Sequence, residues 1–185
     1  MPILPREENL FPDDLLESSF AQAEDAAWLV LHTKPRQEKS LARVAFAQEI
    51  PFYLPLVKKQ NQIRGKVVDS WSPLFAGYLF ACITDDQRVQ LLKTNSIVQM
   101  VPVTDEGEMR QQLRSLQALI HADAPLTIER KLEAGRLVRV KSGPIAGTEG
   151  IVISRKGKSR LVVAVTLLQQ GVSVEIDDFQ VEPIY

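Results

Sequence analysis

Residues 74–83 read LFAGYLFACI, which is the longest apolar run in the chain and is interrupted only by Gly77. A run of this length and composition predicts a buried strand. Side chains alternate between the two faces of a strand, so Phe75 and Tyr78 would point to opposite faces. They can share a face only if the strand bulges or ends near Gly77.

The segments on either side of this run predict an α+β domain over residues 28–121. Upstream, WLVL at residues 28–31 predicts a second central strand, and residues 52–57 predict a strand that Pro55 confines to an edge or a bulge. Downstream, residues 97–103 predict another strand. The complete order is strand, helix, strand, hairpin, strand, helix, strand, helix, which implies an antiparallel sheet covered by helices.

Capping residues and apolar spacing predict the three helices of this domain. Thr33 is expected to cap the first helix, and Asp85 or Asp86 the short second one. Asp105 is followed three residues later by a glutamate, which is capping-box spacing, and the apolar residues after it step by three and four. The third helix is therefore predicted to run from Asp105 until shortly before Pro125.

The chain becomes richer in glycine and β-branched residues after this domain. Residues 134–185 hold six of the nine glycines, and short alternating apolar runs are separated by turn signals. Four or five short strands within about fifty residues are typical of a small β-barrel. Residues 122–133 are predicted to be the linker between the two domains.

Charge is distributed unevenly, although the 185 residues carry a formal net charge of only −1. Residues 1–27 hold seven acidic residues and one basic residue. We expect this acidic leader to be mostly disordered, with one short, weakly docking amphipathic turn at Leu10-Phe11 and Leu15-Leu16. Residues 28–66 hold eight basic residues and two acidic ones. A basic region of this kind indicates a surface that faces a polyanion, the alternative being an ordinary solvated face.

Several classes of protein are excluded by what the sequence contains. No apolar run approaches the roughly 20 residues of a membrane helix. Cys82 has no cysteine partner, and His32 and His121 are the only histidines, so a structural zinc cluster is not expected. No nucleophile, phosphate-loop or zinc motif is recognisable. We therefore expect a monomeric cytoplasmic protein that is not an enzyme and uses no metal or cofactor.

Three segments occur in an order that resembles the NusG family of transcription elongation factors. They are WLVLHT at 28–33, PLFAGYLF at 73–80 and VRVKSGPIAGTEG at 138–150. The resemblance covers residues 28–185 and does not include the acidic leader. It implies an N-terminal NGN domain at 28–121 and a C-terminal, SH3-like KOW β-barrel at 134–185.

The resemblance implies that RNA polymerase binds the NGN domain at aromatic residues of the long apolar run. Phe75 and Tyr78 are the best candidates for this contact, with His32 and Leu74 nearby. Aromatic anchors can dominate the free energy of such an interface. The alternative is that all residues of the run belong to the core.

A protruding basic hairpin is predicted around residues 58–68, with Gly65 at its tip. NGN domains lie beside the upstream fork of the DNA bubble, so the resemblance implies contact with upstream or non-template DNA. The residues expected to face nucleic acid lie on this hairpin and on the first helix; they are Arg36, Lys39, Lys58, Lys59, Arg64 and Lys66. Such contacts are largely independent of DNA sequence.

The KOW segment departs from the housekeeping pattern at one turn. Housekeeping members carry an arginine at the tip that contacts Rho and a ribosomal protein, and this chain has Gln170 there. Glutamine cannot replace the planar guanidinium group, which argues against Rho binding. Contact with a ribosomal protein stays open through Ile145 and Leu168. The chain is therefore interpreted as a specialised paralogue similar to RfaH-type antiterminators.

Two functions remain open from the sequence. The first is a transcription factor that binds RNA polymerase and suppresses pausing or termination, while its KOW domain recruits a second partner. The second is a KOW protein associated with the ribosome or with structured RNA. That function would use the basic residues Arg155, Lys156, Lys158 and Arg160.

Overall fold

The structure is a computed structural model that describes residues 7–17, 20–63, 66–130, 135–155, 157–176 and 180–184. The chain divides into two compact units, Met1–Thr104 and Asp105–Tyr185. No helix among the described residues is long and apolar enough to cross a membrane.

The described residues of the first unit form strands, a hairpin and two helices. In chain order they are β1 (Leu10–Phe11), β2 (Ala27–Thr33), α1 (Glu38–Ala47), β3 (Phe52–Tyr53), β4 (Leu56–Ile63), β5 (Lys66–Pro73), β6 (Tyr78–Ile83), α2 (Asp85–Leu92) and β7 (Ile97–Pro102). Five strands form an antiparallel sheet in the order β1-β3-β6-β2-β7, and β4 pairs with β5 alone. These elements confirm the predicted α+β class for this unit.

Both faces of the central strands are buried. One face packs against apolar residues of α1 and α2, and its core includes Leu31, Leu79, Leu41 and Leu91. The opposite face contributes a second set of buried side chains from β2 and β6, namely Trp28, Val30, Phe80 and Cys82. Burial on both sides explains why these strands read as continuous apolar runs in the sequence.

Strand β6 begins at Tyr78, four residues later than the apolar run predicts. Gly77 adopts φ = +83°, a left-handed conformation that L side chains rarely adopt, so the extended chain cannot continue backward through it. Leu74 to Gly77 form a turn between β5 and β6. Because the strand ends near Gly77, the alternation of side chains between its two faces does not determine where Phe75 points relative to Tyr78.

Two helix caps differ from the prediction. Helix α1 begins after Gln37 because Thr33 remains in β2 and Arg36 adopts φ = +63°. Helix α2 is capped by Thr84, whose hydroxyl accepts a hydrogen bond from the Gln87 amide, while the two aspartates lie in the first turn. In both cases the predicted cap lies within four residues of the observed one, in a segment that contains several polar residues of types suited to capping.

Residues 7–17 of the leader contact the first sheet, whereas the sequence indicated a mostly disordered leader. Strand β1 pairs with β3, and the backbone N–H of Leu54 donates to the carbonyl of Asn9 at 2.7 Å. Leu15 and Leu16 are buried, and Glu7 forms an ion pair with Arg43 at 2.9 Å. The apolar residues expected to form one short amphipathic turn instead contribute an edge strand, at Leu10–Phe11, and two buried side chains, Leu15 and Leu16.

In the described part of the second unit there are α3 and six strands. They are α3 (Glu106–His121), β8 (Thr127–Glu129), β9 (Arg136–Val140), β10 (Glu149–Arg155), β11 (Lys158–Val165), β12 (Gln170–Glu175) and β13 (Val181–Pro183). The strands form one antiparallel sheet in the order β13-β9-β10-β11-β12-β8. The short strands predicted between residues 137 and 176 are confirmed, and Asp105 caps α3 as predicted, accepting from the Glu108 amide at 2.8 Å.

Two elements of this unit lie outside the predicted C-terminal domain. Helix α3 packs against β10 and β11, and the Gln112 side chain exchanges two hydrogen bonds with Thr166, at 2.7 and 3.0 Å. Strand β8 lies within the segment predicted as linker and pairs with β12. The contacts therefore group residues 105–130 with the C-terminal strands.

Candidate functional site

An aromatic pair stands at the end of one face of the first sheet. His32 on β2 is opposite Tyr78 on β6, and their rings stack with centroids 5.0 Å apart and an interplanar angle of 17°. The cross-strand pairs before it on this face, Trp28 with Cys82 and Val30 with Phe80, are buried. His32 and Tyr78 are only partly buried, so the apolar face reaches solvent at this pair.

The Gly77 backbone is held on both sides, next to this pair. Its N–H donates to the carboxylate Oε1 of Glu38 at 2.6 Å, and its carbonyl accepts from the N–H of Thr33 at 2.8 Å. A Cβ atom at Gly77 would lie 3.4 Å from Cδ2 of His32. A larger residue at this position would therefore contact the imidazole ring as well as strain the backbone.

Burial separates the four residues predicted to contact a polymerase. Phe75 is 1% exposed and Leu74 is 3% exposed, whereas Tyr78 and His32 reach the surface. Neither Phe75 nor Leu74 can present its side chain to a partner in this structure. The turn ending at Gly77 is the physical reason, because it directs these two side chains into the core and lets Tyr78 emerge beside His32.

The surroundings of the aromatic pair are mixed in polarity. Gln99 on the edge strand β7 is opposite His32 and is exposed, and its neighbour Val98 is 60% exposed. Lys34 lies two residues after His32, and its ammonium group donates a hydrogen bond to the amide oxygen of Asn95 at 2.9 Å. An apolar centre with a polar rim is the usual composition of a protein-binding surface.

Metal ions require a set of ligand side chains that lie close together. Within the described ranges, no group of three or more His, Cys, Asp or Glu residues is placed to hold a metal ion.

The predicted basic hairpin is present as β4 and β5, paired from Leu56 with Pro73 to Ile63 with Lys66. Lys58 and Lys59 are both exposed, and Lys58 forms an ion pair with Asp69 at 2.9 Å. Arg64 lies outside the described residues, as does the tip glycine. Of Lys66 only the backbone is described.

The other two residues predicted to face nucleic acid lie near the start of α1. Arg36 is exposed in the loop before the helix, where it adopts φ = +63°. Lys39 is in the first turn of α1 and is partly buried. Arg36 thus lies four residues after His32, in the loop that connects β2 to α1.

The candidate partner residues of the second unit are each partly buried. Ile145 lies in the loop between β9 and β10, and Leu168 in the 3-10 turn Thr166–Leu168 between β11 and β12. The neighbouring Leu167 is more exposed, at 40%. Leu168 was the candidate from the sequence and Leu167 was not, because two adjacent leucines in a turn carry no signal for which one is exposed.

The basic residues of the RNA-binding alternative are engaged within the unit, except Lys156, which lies outside the described residues. Arg155 pairs with Glu129 at 3.1 Å, while Lys158 and Arg160 pair with Glu175 at 2.7 and 3.3 Å. The hydrogen bond from Lys158 lowers the pKa of the Glu175 carboxyl below its usual value. Likewise, the hydrogen bond and charge of Glu149 raise the pKa of Arg139.

Sequence reasoning missed two polar residues that organise the structure. Glu38 is 6% exposed and holds the turn beside the aromatic pair; an acid within a basic segment was its only sequence signal. Glu129 is also 6% exposed and accepts a hydrogen bond from the Ser173 hydroxyl at 2.6 Å. No sequence pattern connects residues that lie this far apart in the chain.

Comparison with known families gives a match to the N-terminal half of the chain. The family described as "Transcription termination factor nusG" matches residues 26–118. This range includes both residues of the aromatic pair, the hairpin and most of α3. A search of curated proteins returned no match. Because the family match spans half of the chain, this protein belongs to the NusG family of transcription termination and elongation factors.

Proposed function

We propose that this protein binds RNA polymerase through the surface around His32 and Tyr78 and suppresses pausing and termination. One observation carries the proposal: a stacked, partly exposed aromatic pair at the surface of a chain that belongs to a family interacting with RNA polymerase. The site of action is the cytoplasm, where bacterial RNA polymerase works.

The physical basis of binding is a pre-organised aromatic anchor. The two rings are already stacked in the free protein, so little side-chain entropy is lost when a partner covers them. Partly exposed aromatic residues at the centre of a contact contribute disproportionately to affinity. NusG proteins are transcription factors and are not known as enzymes, so the effect would come from binding one polymerase state more tightly than another.

The hairpin β4–β5 is proposed to contact upstream or non-template DNA. Lys59 is exposed on β4, and the hairpin carries four basic residues against one acid, Asp69. The attraction would be electrostatic and dependent on salt. Arg36 and Lys39 extend the basic character of the first unit toward the aromatic pair.

Within the second unit, residues 134–185 are proposed to be a KOW domain, with residues 28–121 as the NGN domain and 122–133 as the linker. It would recruit a second partner through Ile145, Leu168 and the more exposed Leu167. Gln170 at the tip argues against Rho, whereas a ribosomal protein is compatible with the apolar surface. We propose a specialised paralogue of the RfaH type that acts as a monomer.

The alternative of a ribosome-associated or RNA-associated protein has weaker support. Arg155, Lys158 and Arg160 already pair with carboxylates of the same unit. Binding RNA phosphates would require these ion pairs to be exchanged, which reduces the net gain.

Affinity for core RNA polymerase tests the proposal directly. Tyr78→Ala should weaken binding at least tenfold, and it should abolish any effect of the protein on pause lifetimes in single-round transcription. Val89→Ala is the control, because Val89 is 52% exposed on α2 and its truncation removes apolar surface away from the aromatic pair. Wild-type protein that neither binds polymerase nor changes pausing would overturn the proposal.

A further inference from the structure

Glu38 is a buried acidic residue at the start of α1. Glu38 is 6% exposed in the first turn of α1, and among the described residues no basic side chain forms an ion pair with it. Burying an unpaired carboxylate is costly unless hydrogen bonds compensate for the lost hydration. Its position at the N-terminal end of a helix offsets part of that cost.

The hydrogen bond that Glu38 accepts is directed at the turn before Tyr78. The acceptor Oε1 lies 2.6 Å from the Gly77 nitrogen, a short distance typical of a bond to a charged acceptor. Thr33, the last residue of β2, donates its N–H to the carbonyl of the same glycine at 2.8 Å. Gly77 is thus held by two elements, α1 and β2.

The position of the Gly77 backbone constrains the positions of both rings of the aromatic pair. Tyr78 follows Gly77 directly, and His32 precedes Thr33 on the strand that binds the glycine carbonyl. The Gly77 Cα also faces the imidazole edge, since a Cβ there would lie 3.4 Å from Cδ2 of His32. The conformation of the turn and the stacking of the rings are therefore coupled geometrically.

We infer that Glu38 is a positioning residue for the polymerase-binding surface: it holds the turn at Gly77 so that Tyr78 stacks on His32 at the surface. This inference rests on the proposed function for its consequence in binding. The positioning itself is a property of the free protein and is testable without polymerase. Glu38 does not contact the partner in this arrangement; it acts through Gly77.

Two substitutions separate positioning from structural support. Glu38→Gln keeps a side-chain oxygen that can accept the Gly77 hydrogen bond, so it should retain the stack. Glu38→Met has a similar volume and removes both the acceptor and the desolvated charge, so the fold should tolerate it. The Gly77 amide would then have to find water, and the turn would lose one of its two attachments.

Hydrogen exchange and NMR on the full chain test the positioning. The Gly77 amide should be protected in the wild type and in Glu38→Gln, and its exchange should be at least tenfold faster in Glu38→Met. Contacts between the His32 and Tyr78 rings, seen as nuclear Overhauser effects, should weaken in Glu38→Met alone. Unchanged exchange and unchanged ring contacts in Glu38→Met would overturn the inference.

Binding to core RNA polymerase tests the consequence. Glu38→Met should lose at least tenfold in affinity with its melting temperature within a few degrees of wild type, and Glu38→Gln should stay within threefold. Full affinity in a Glu38→Met protein that has lost the ring stack would overturn the inference. A wild-type protein that does not bind polymerase would contradict the proposed function alone, because the exchange result would still decide whether Glu38 positions the turn.

Discussion

His32 and Tyr78 form the last cross-strand pair between β2 and β6, and their rings stack at that end of the sheet. Next to this pair, the register of β2 against β7 shifts between His32 and Thr33, and Thr33 then pairs with Ile97. The aromatic pair therefore occupies the boundary between a buried apolar face and the loops around it.

A double-mutant cycle should show that the two rings act as one unit. We expect His32→Ala and Tyr78→Ala each to weaken polymerase binding, and the double variant to lose less than the sum of the two effects. Stacked rings should give a coupling energy of about 0.5–1.5 kcal/mol. Tyr78→Ala combined with Val89→Ala serves as the control cycle, whose effects should add within about 0.5 kcal/mol because the residues share no contact. Additive effects of the two rings would contradict the coupling.

The hairpin should bind DNA through charge. Lys59→Gln should weaken binding to a forked DNA duplex and reduce the slope of log affinity against log salt by about 1. Asp69→Asn should strengthen binding, because it removes an acid and releases Lys58 from its ion pair. Fluorescence anisotropy at several salt concentrations measures both effects. Lys93→Gln, directly after α2, is the control for a general loss of charge, and an equal effect of this variant would refute a specific role of the hairpin.

The polar network around Glu129 should stabilise the second unit. The Ser173 hydroxyl donates to Glu129 and accepts from Arg160 at 2.9 Å, so Ser173→Ala leaves two polar groups without one of their partners. Loss of a buried hydrogen bond of this kind costs about 1–3 kcal/mol in the free energy of unfolding. Denaturant unfolding measures it. Ser154→Ala, an exposed serine on β10, should change stability by less than about 0.5 kcal/mol, and equal effects would contradict the prediction.

Acid should weaken the same sheet through Glu175. The folded pKa of this carboxyl is lowered by the Lys158 hydrogen bond, so its stabilising contribution is present above the unfolded pKa and is lost as the pH falls through the folded pKa. A carboxyl titration by NMR should place the Glu175 pKa below that of an unperturbed glutamate. Lys158→Met should raise it toward the ordinary value, and Lys141→Met should not. Because Glu175 is half exposed, the accompanying change in stability should be small.

Local features of the chain were predictable because neighbouring residues encode them. Asp105 accepts a hydrogen bond from the Glu108 amide three residues away, and this spacing together with the apolar periodicity located the start of α3. The hairpin of β4 and β5 followed from two runs around Gly65. The caps of α1 and α2 were misplaced by a few residues, since Thr33, Thr84 and the aspartates are equally suitable cap residues by type.

The candidate site was predicted in part. The alternation rule showed that Phe75 and Tyr78 could face the same partner only if the strand ended near Gly77. The strand does end there, and the turn then buries Phe75 and leaves Tyr78 beside His32. Which ring is buried depends on how the turn packs against the rest of the unit, and a linear pattern does not contain that information.

The sequence by itself determined the family, the α+β class of the first unit, the glycine at the turn and the strands of the second unit. These depend on side-chain types and on spacings of a few residues. Only the tertiary structure decided that the leader completes the first sheet, that Glu38 holds Gly77 from 39 residues away and that Glu129 meets Ser173 from 44 residues away. The physical reason is that a buried polar contact or an edge-strand pairing is formed by residues distant in the chain. Its free energy appears only once packing has removed water from both partners.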